Sequence, residues 1–125
     1  MKKLLLIIVL GLLLSSNAFA GWFDKDKIKV TNCYDPSKFN NYKSSKKIDI
    51  KNGFTKWEWE LNLKEKIAYH ITEKNGQLGI DKSPIKIVTD DYIIATNTII
   101  NKDFQFDLNN EAYLFLGTTF TCKFK

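Results

Sequence analysis

Arginine is absent from the 125 residues, histidine and methionine occur once each, proline and cysteine twice, and glycine six times. Each scarcity removes a class of chemistry. Arginine carries the planar bidentate fork that dominates base and phosphate recognition, so its absence argues against a nucleic-acid partner despite a formal net charge of +5. With His70 alone, no imidazole pair exists for a metal centre, and a Ser-His-Asp triad would need a serine on an exposed elbow. Beyond residue 20 the serines are Ser37, Ser44, Ser45 and Ser83, all in polar, loop-like surroundings without a Gly-x-Ser-x-Gly frame. Asp103 and Asp107 lack the glycine spacing of a calcium loop, and no glycine-rich phosphate cradle occurs. The chain is therefore expected to be no enzyme and to need no cofactor and no metal.

Long apolar runs are also scarce. Only Leu4–Leu14 qualifies, interrupted by Gly11, and its 11 residues fall short of the roughly 20 needed to span a bilayer. Lys2 and Lys3 precede it, and Ala18-Phe19-Ala20 places small residues after it. That layout predicts a cleaved secretory signal over residues 1–20, with a mature chain starting at Gly21. No cysteine follows the small residues, so a lipid-anchor site is lacking. The expected location is the periplasm or the exterior, with no membrane span after cleavage.

What is present then becomes informative. An exported chain with two cysteines has one possible pairing, Cys33 with Cys122, and an oxidising compartment favours it. The bridge would close a loop of about 90 residues, worth roughly 4–5 kcal/mol through the entropy of the unfolded chain. Its geometry matters more, because bridged Cα atoms lie only about 4.4–6.8 Å apart, which makes the first and last strands neighbours.

Residues 27–33 read as a first strand with Ile28 and Val30 on one face, and residues 34–46 carry turn and loop chemistry around Asp35-Pro36-Ser37. From Trp57 onward, apolar and polar residues alternate. Trp57, Trp59, Leu61 and Leu63 share one face, and Ile67, Tyr69 and Ile71 are expected to share the buried face of the next strand, with His70 on the polar side. Asn75-Gly76 signals a type I′ hairpin. Asp90-Asp91, Asn109-Asn110-Glu111 and Gly117 punctuate further strands, among them one carrying Phe104, Phe106 and Leu108 and a last one carrying Phe120, Cys122 and Phe124. Residues 21–125 therefore form one all-β domain of about eight short antiparallel strands, a sandwich or an up-and-down barrel. A bridge between the first and last strands favours closure, since a meander brings its ends together only if the sheet curls.

Two residue sets are candidates for binding. The inward aromatics Trp57, Trp59, Tyr69, Phe104 and Phe106 either fill the barrel or line a cavity for a small apolar or aromatic ligand. Lys43, Lys46, Lys47 and Lys51 form a basic patch fit for an anionic surface or an envelope partner protein, or simply a solvated face. Residues 21–53 hold eight Lys against four acidic residues, whereas 54–125 hold nine against ten. Glu58 and Glu60, two apart on one strand face, together with His70, are the weakest candidates, for carboxylate chemistry. The expected function is an exported, non-enzymatic binding or accessory protein, with an interaction or inhibitor module as the alternative.

Overall fold

Period-two alternation resolves into eight strands in the computed structural model, which describes residues 26–125. They are β1 (Lys27–Tyr34), β2 (Phe54–Asn62), β3 (Ile67–Lys74), β4 (Gln77–Val88), β5 (Tyr92–Asn97), β6 (Lys102–Asp107), β7 (Ala112–Phe115) and β8 (Thr118–Phe124). Each pairs antiparallel with the next, and β8 returns to pair with β1, so the sheet is a closed barrel. The secretory signal expected over residues 1–20 lies outside the described residues. No helix among them is long and apolar enough to cross a membrane.

Turn chemistry sets the hairpins. Asn75-Gly76 and Leu116-Gly117 both place two successive residues at positive φ (52° and 81°; 49° and 81°), the requirement of a type I′ turn. Asp107 closes the β6–β7 turn by accepting from the backbone N–H groups of Asn109 and Asn110, each at 3.1 Å.

The seam between β1 and β8 carries the disulfide Cys33–Cys122. Strict alternation would turn Cys33 away from the interior, because Ile28 and Val30 already face inward and Cys33 lies an odd number of residues from them. A β-bulge at Asn32 (φ 55°) shifts the register between Thr31 and Tyr34 and re-aims Cys33 to the inner side, where it meets Cys122. The seam is further tied by Lys29 and Lys125, whose backbone N–H groups donate to each other's carbonyls at 3.0 and 2.8 Å.

The core lies inside the barrel. Ile28, Val30, Leu61, Ala68, Ile93, Ala95 and Phe106 are fully buried, with Trp59 and Phe104 nearly so. Small residues sit beside large ones: Leu61 opposes Ala68 and Phe104 opposes Ala95. That pairing lets an eight-stranded interior accommodate its aromatics.

Two expectations need correction. The first concerns β3. A four-residue connection joins Asn62 to Ile67 as facing partners, so from Lys56 onward every odd residue of β2 faces an even residue of β3. Trp59 therefore opposes His70 and Leu61 opposes Ala68; Tyr69 and Ile71 point outward and His70 points in. The second concerns the segment expected to be loop. Residues Tyr42–Lys51 form a helix, α1, capped by Asn41, whose side-chain oxygen accepts from the Ser44 N–H at 3.0 Å. No apolar stripe announces this helix, because its Ile48 and Ile50 are exposed and its buried residue is Ser45. β4 runs through Ser83-Pro84 as one twelve-residue strand.

Candidate functional site

Alternation of strand direction sorts the connections between two ends. One end carries the α1 segment (35–53), the β3–β4 turn, the β5–β6 turn and the β7–β8 turn. This end is the mouth of the barrel. Helix α1 and the residues after it are tied to β2 and to the β3–β4 turn. Lys46 Nζ donates to the Thr55 carbonyl at 2.8 Å, and the Asn75 N–H donates to the Gly53 carbonyl at 2.9 Å. Gly53 (φ 88°) is required here, since a Cβ would collide with the Asn75 side chain.

Between α1 and the rim lies a cleft of about 390 Å³. Trp57 and Phe120 come from the barrel, with ring centroids 6.3 Å apart. Phe39 and Tyr42 come from the α1 segment, together with Lys38, Lys46 and Asp49. The disulfide borders it through Cys33, so covalent chemistry and the bulge at Asn32 both fix one wall. Asp35, at the cleft edge, is held below the usual carboxylate range by hydrogen bonds from the Ser37 hydroxyl and N–H.

Behind Trp57 the barrel is filled. His70 stacks on Trp59 with centroids 4.3 Å apart and meets the edge of Trp57 at 4.7 Å. Trp59 packs against Phe104 and Phe106 at 4.9 and 5.4 Å, and Phe106 against Tyr113 at 5.2 Å. Burial lowers the His70 pKa, opposed by the charge of Asp81, and burial raises that of the Tyr113 phenol. The Trp59 Nε1 and His70 Nε2 atoms are buried without a protein hydrogen-bond partner.

The five aromatics expected to form one site are thus divided. Trp57 lines the mouth cleft. Trp59 and Phe106 belong to the packed interior. Phe104 reaches from that interior to the edge of a separate open hollow of about 300 Å³ beside Phe115 and Leu116. Tyr69 lies outside, where its hydroxyl donates to Glu65 Oε2 at 3.1 Å; that bond holds its pKa above the ordinary value.

Of the basic patch, Lys46 enters the cleft, while Lys43, Lys47 and Lys51 are exposed on the outer side of α1. Glu58 and Glu60 point outward, each within 3.7 Å of a lysine, Lys56 and Lys27 respectively. The sheet wall separates them from His70, so the three do not converge. No group of three potential metal ligands occurs among the described residues.

Phe39 and Tyr42, which line the cleft with Trp57, are not among the residues the sequence singles out. The available signal was the Asn41-Tyr42-Lys43-Ser44 capping pattern, which starts a helix where a loop was expected. Compared with family models, curated proteins and solved structures, the chain gives no match.

Proposed function

We propose that this protein is an exported, non-enzymatic binding or accessory protein whose ligand site is the mouth cleft beneath α1. The observation that carries the reading is an aromatic-walled hollow of about 390 Å³, in the range of small-molecule sites, built on rigid parts of the fold. Strands β2 and β8 supply Trp57 and Phe120, and the disulfide anchors the segment that supplies Phe39 and Tyr42. Two ammonium groups, Lys38 and Lys46, border the hollow together with the carboxylates of Asp35 and Asp49. The ligand class that fits is a flat, largely apolar molecule bearing an anionic or hydrogen-bond-accepting group. A binding role also accords with both cysteines being tied in a disulfide, which leaves no thiol nucleophile.

The test uses 8-anilinonaphthalene-1-sulfonate, an aromatic sulfonate of that class. Saturable one-to-one fluorescence enhancement is expected, weakened about tenfold or more by Trp57→Ala. Unsaturable enhancement, or an unchanged affinity in Trp57→Ala, refutes the reading.

A further inference from the structure

Besides the cleft, the mouth end has a second property that no small ligand explains. Large apolar side chains are exposed there in every connection except the tight Asn75-Gly76 turn: Ile48 and Ile50 on α1, Ile99 and Ile100 between β5 and β6, and Leu116 between β7 and β8. Leu78 stands just beyond that exception, at the start of β4. Ile99 is 84% exposed and Leu116 64%. The far-end connections (63–66, 89–91 and 108–111) expose no large apolar side chain among the described residues; Ile87 and Val88, at the end of β4, are the nearest and are less exposed.

Charge divides the same way. The mouth-end connections carry five Lys against two Asp, and those of the far end carry two Lys against four acidic residues. Exposed apolar side chains normally occur singly, and a group of them rimmed by one sign of charge marks an interaction surface.

We propose that the mouth end docks on an anionic lipid surface, with Ile99, Ile100 and Leu116 as apolar anchors and Lys43, Lys47 and Lys51 at the headgroup level. The arrangement matches an interfacial binding face. The apolar residues sit at loop tips, where they can enter the headgroup boundary without unfolding a strand. The lysines lie on one helix at the same end of the barrel, long enough to reach phosphates while their stems stay in the apolar layer. A protein partner would ask for a contoured apolar core that excludes charge, whereas here Ile48 and Ile50 on α1 sit among Lys47, Asp49 and Lys51. The acidic far end would point away from the membrane, so the asymmetry orients the molecule as well as attracting it. Docking rests on loop tips and the outer side of α1, and it stands or falls apart from the cleft's ligand.

The experiment is co-sedimentation with vesicles of phosphatidylcholine containing phosphatidylglycerol, against vesicles of phosphatidylcholine alone. Binding is expected to the anionic vesicles only and to weaken with added salt. Each lysine near such a surface strengthens binding about fivefold, so a K43E/K47E/K51E variant should lose about a hundredfold or more. An I99S/I100S variant should lose about tenfold at unchanged charge. All five positions are exposed, and an unaltered circular dichroism spectrum checks that both variants fold. A fluorescent tryptophan placed by Ile99→Trp should be quenched by phosphatidylglycerol with brominated acyl chains. Failure to sediment with anionic vesicles, or equal binding by either variant, overturns the proposal. Capture on polyglutamate beads without vesicle binding also overturns it, and assigns the face to an acidic protein.

Discussion

Reducing the Cys33–Cys122 bond isolates what closure contributes to this barrel. The two cysteines are 89 residues apart. In the chain-entropy treatment a loop of that length restricts the unfolded chain by about 4–5 kcal/mol at 25 °C. The native state should change little on reduction. The β1–β8 ladder survives through pairs such as Val30 with Phe124 and Thr31 with Lys123, and both sulfur atoms stay buried. Nearly all of the effect therefore falls on the unfolded ensemble, which becomes more expanded. Urea unfolding with and without dithiothreitol should show a stability loss of about 4 kcal/mol and a larger dependence on denaturant, because the reduced chain exposes more surface. In thermal melts of a domain this size the loss corresponds to a fall of roughly 20–30 °C. Amide exchange should locate the weakened region. The Lys29 and Lys125 amides at the seam should lose protection first, while the eight-pair β2–β3 ladder keeps its own. Loss of less than about 1 kcal/mol with an unchanged denaturant slope would refute the reasoning, since it would mean the unfolded chain was never constrained by the bridge.

Two substitutions test which face is inside. Phe106→Ala empties a fully buried site and should cost about 3–5 kcal/mol in urea unfolding, whereas Tyr69→Ala, on the outer wall, should cost less than half as much; equal losses would contradict the inside-out assignment of β3. Stability should also fall with acidification between about pH 7 and 5. Burial holds the folded-state pKa of His70 below its ordinary 6.5, so the unfolded chain takes up the proton first, at up to about 1.4 kcal/mol per pH unit. The loss starts as pH drops through 6.5 and ends once the folded state is protonated too. Asp35 and Asp103 are lowered from 3.8, the first by its bonds with Ser37 and the second by Thr96 and Lys86, so their contribution is retained until pH falls near and below that value. His70→Gln should therefore flatten the pH 7–5 profile, and a profile that keeps its slope in this variant would exclude His70 as the cause.

The candidate site was only partly legible because its parts come from patterns of different kinds. Trp57 belongs to a clean alternation and was placed on the inner face without a structure. Its partners Phe39 and Tyr42 sit in a segment whose helix has a capping signal but no apolar stripe, so neither its form nor its direction could be read. The lysines were visible as a cluster, yet their division into Lys46 inside the cleft and Lys43, Lys47 and Lys51 outside it follows from the turn of that helix.

Local chemistry in the sequence determined the strand alternation, the type I′ turn at Asn75-Gly76, the single disulfide and, through it, the meeting of first and last strands. These are properties of neighbouring residues or of a count of two cysteines. Three matters needed the tertiary structure: that β3 turns His70 inward, that a bulge at Asn32 carries Cys33 to the interior, and that the aromatics fill the barrel and leave their hollow at its mouth. Each depends on parity or volume summed across strands distant in sequence. A shift of one residue in one connection exchanges the faces of a whole strand, and local alternation looks the same either way.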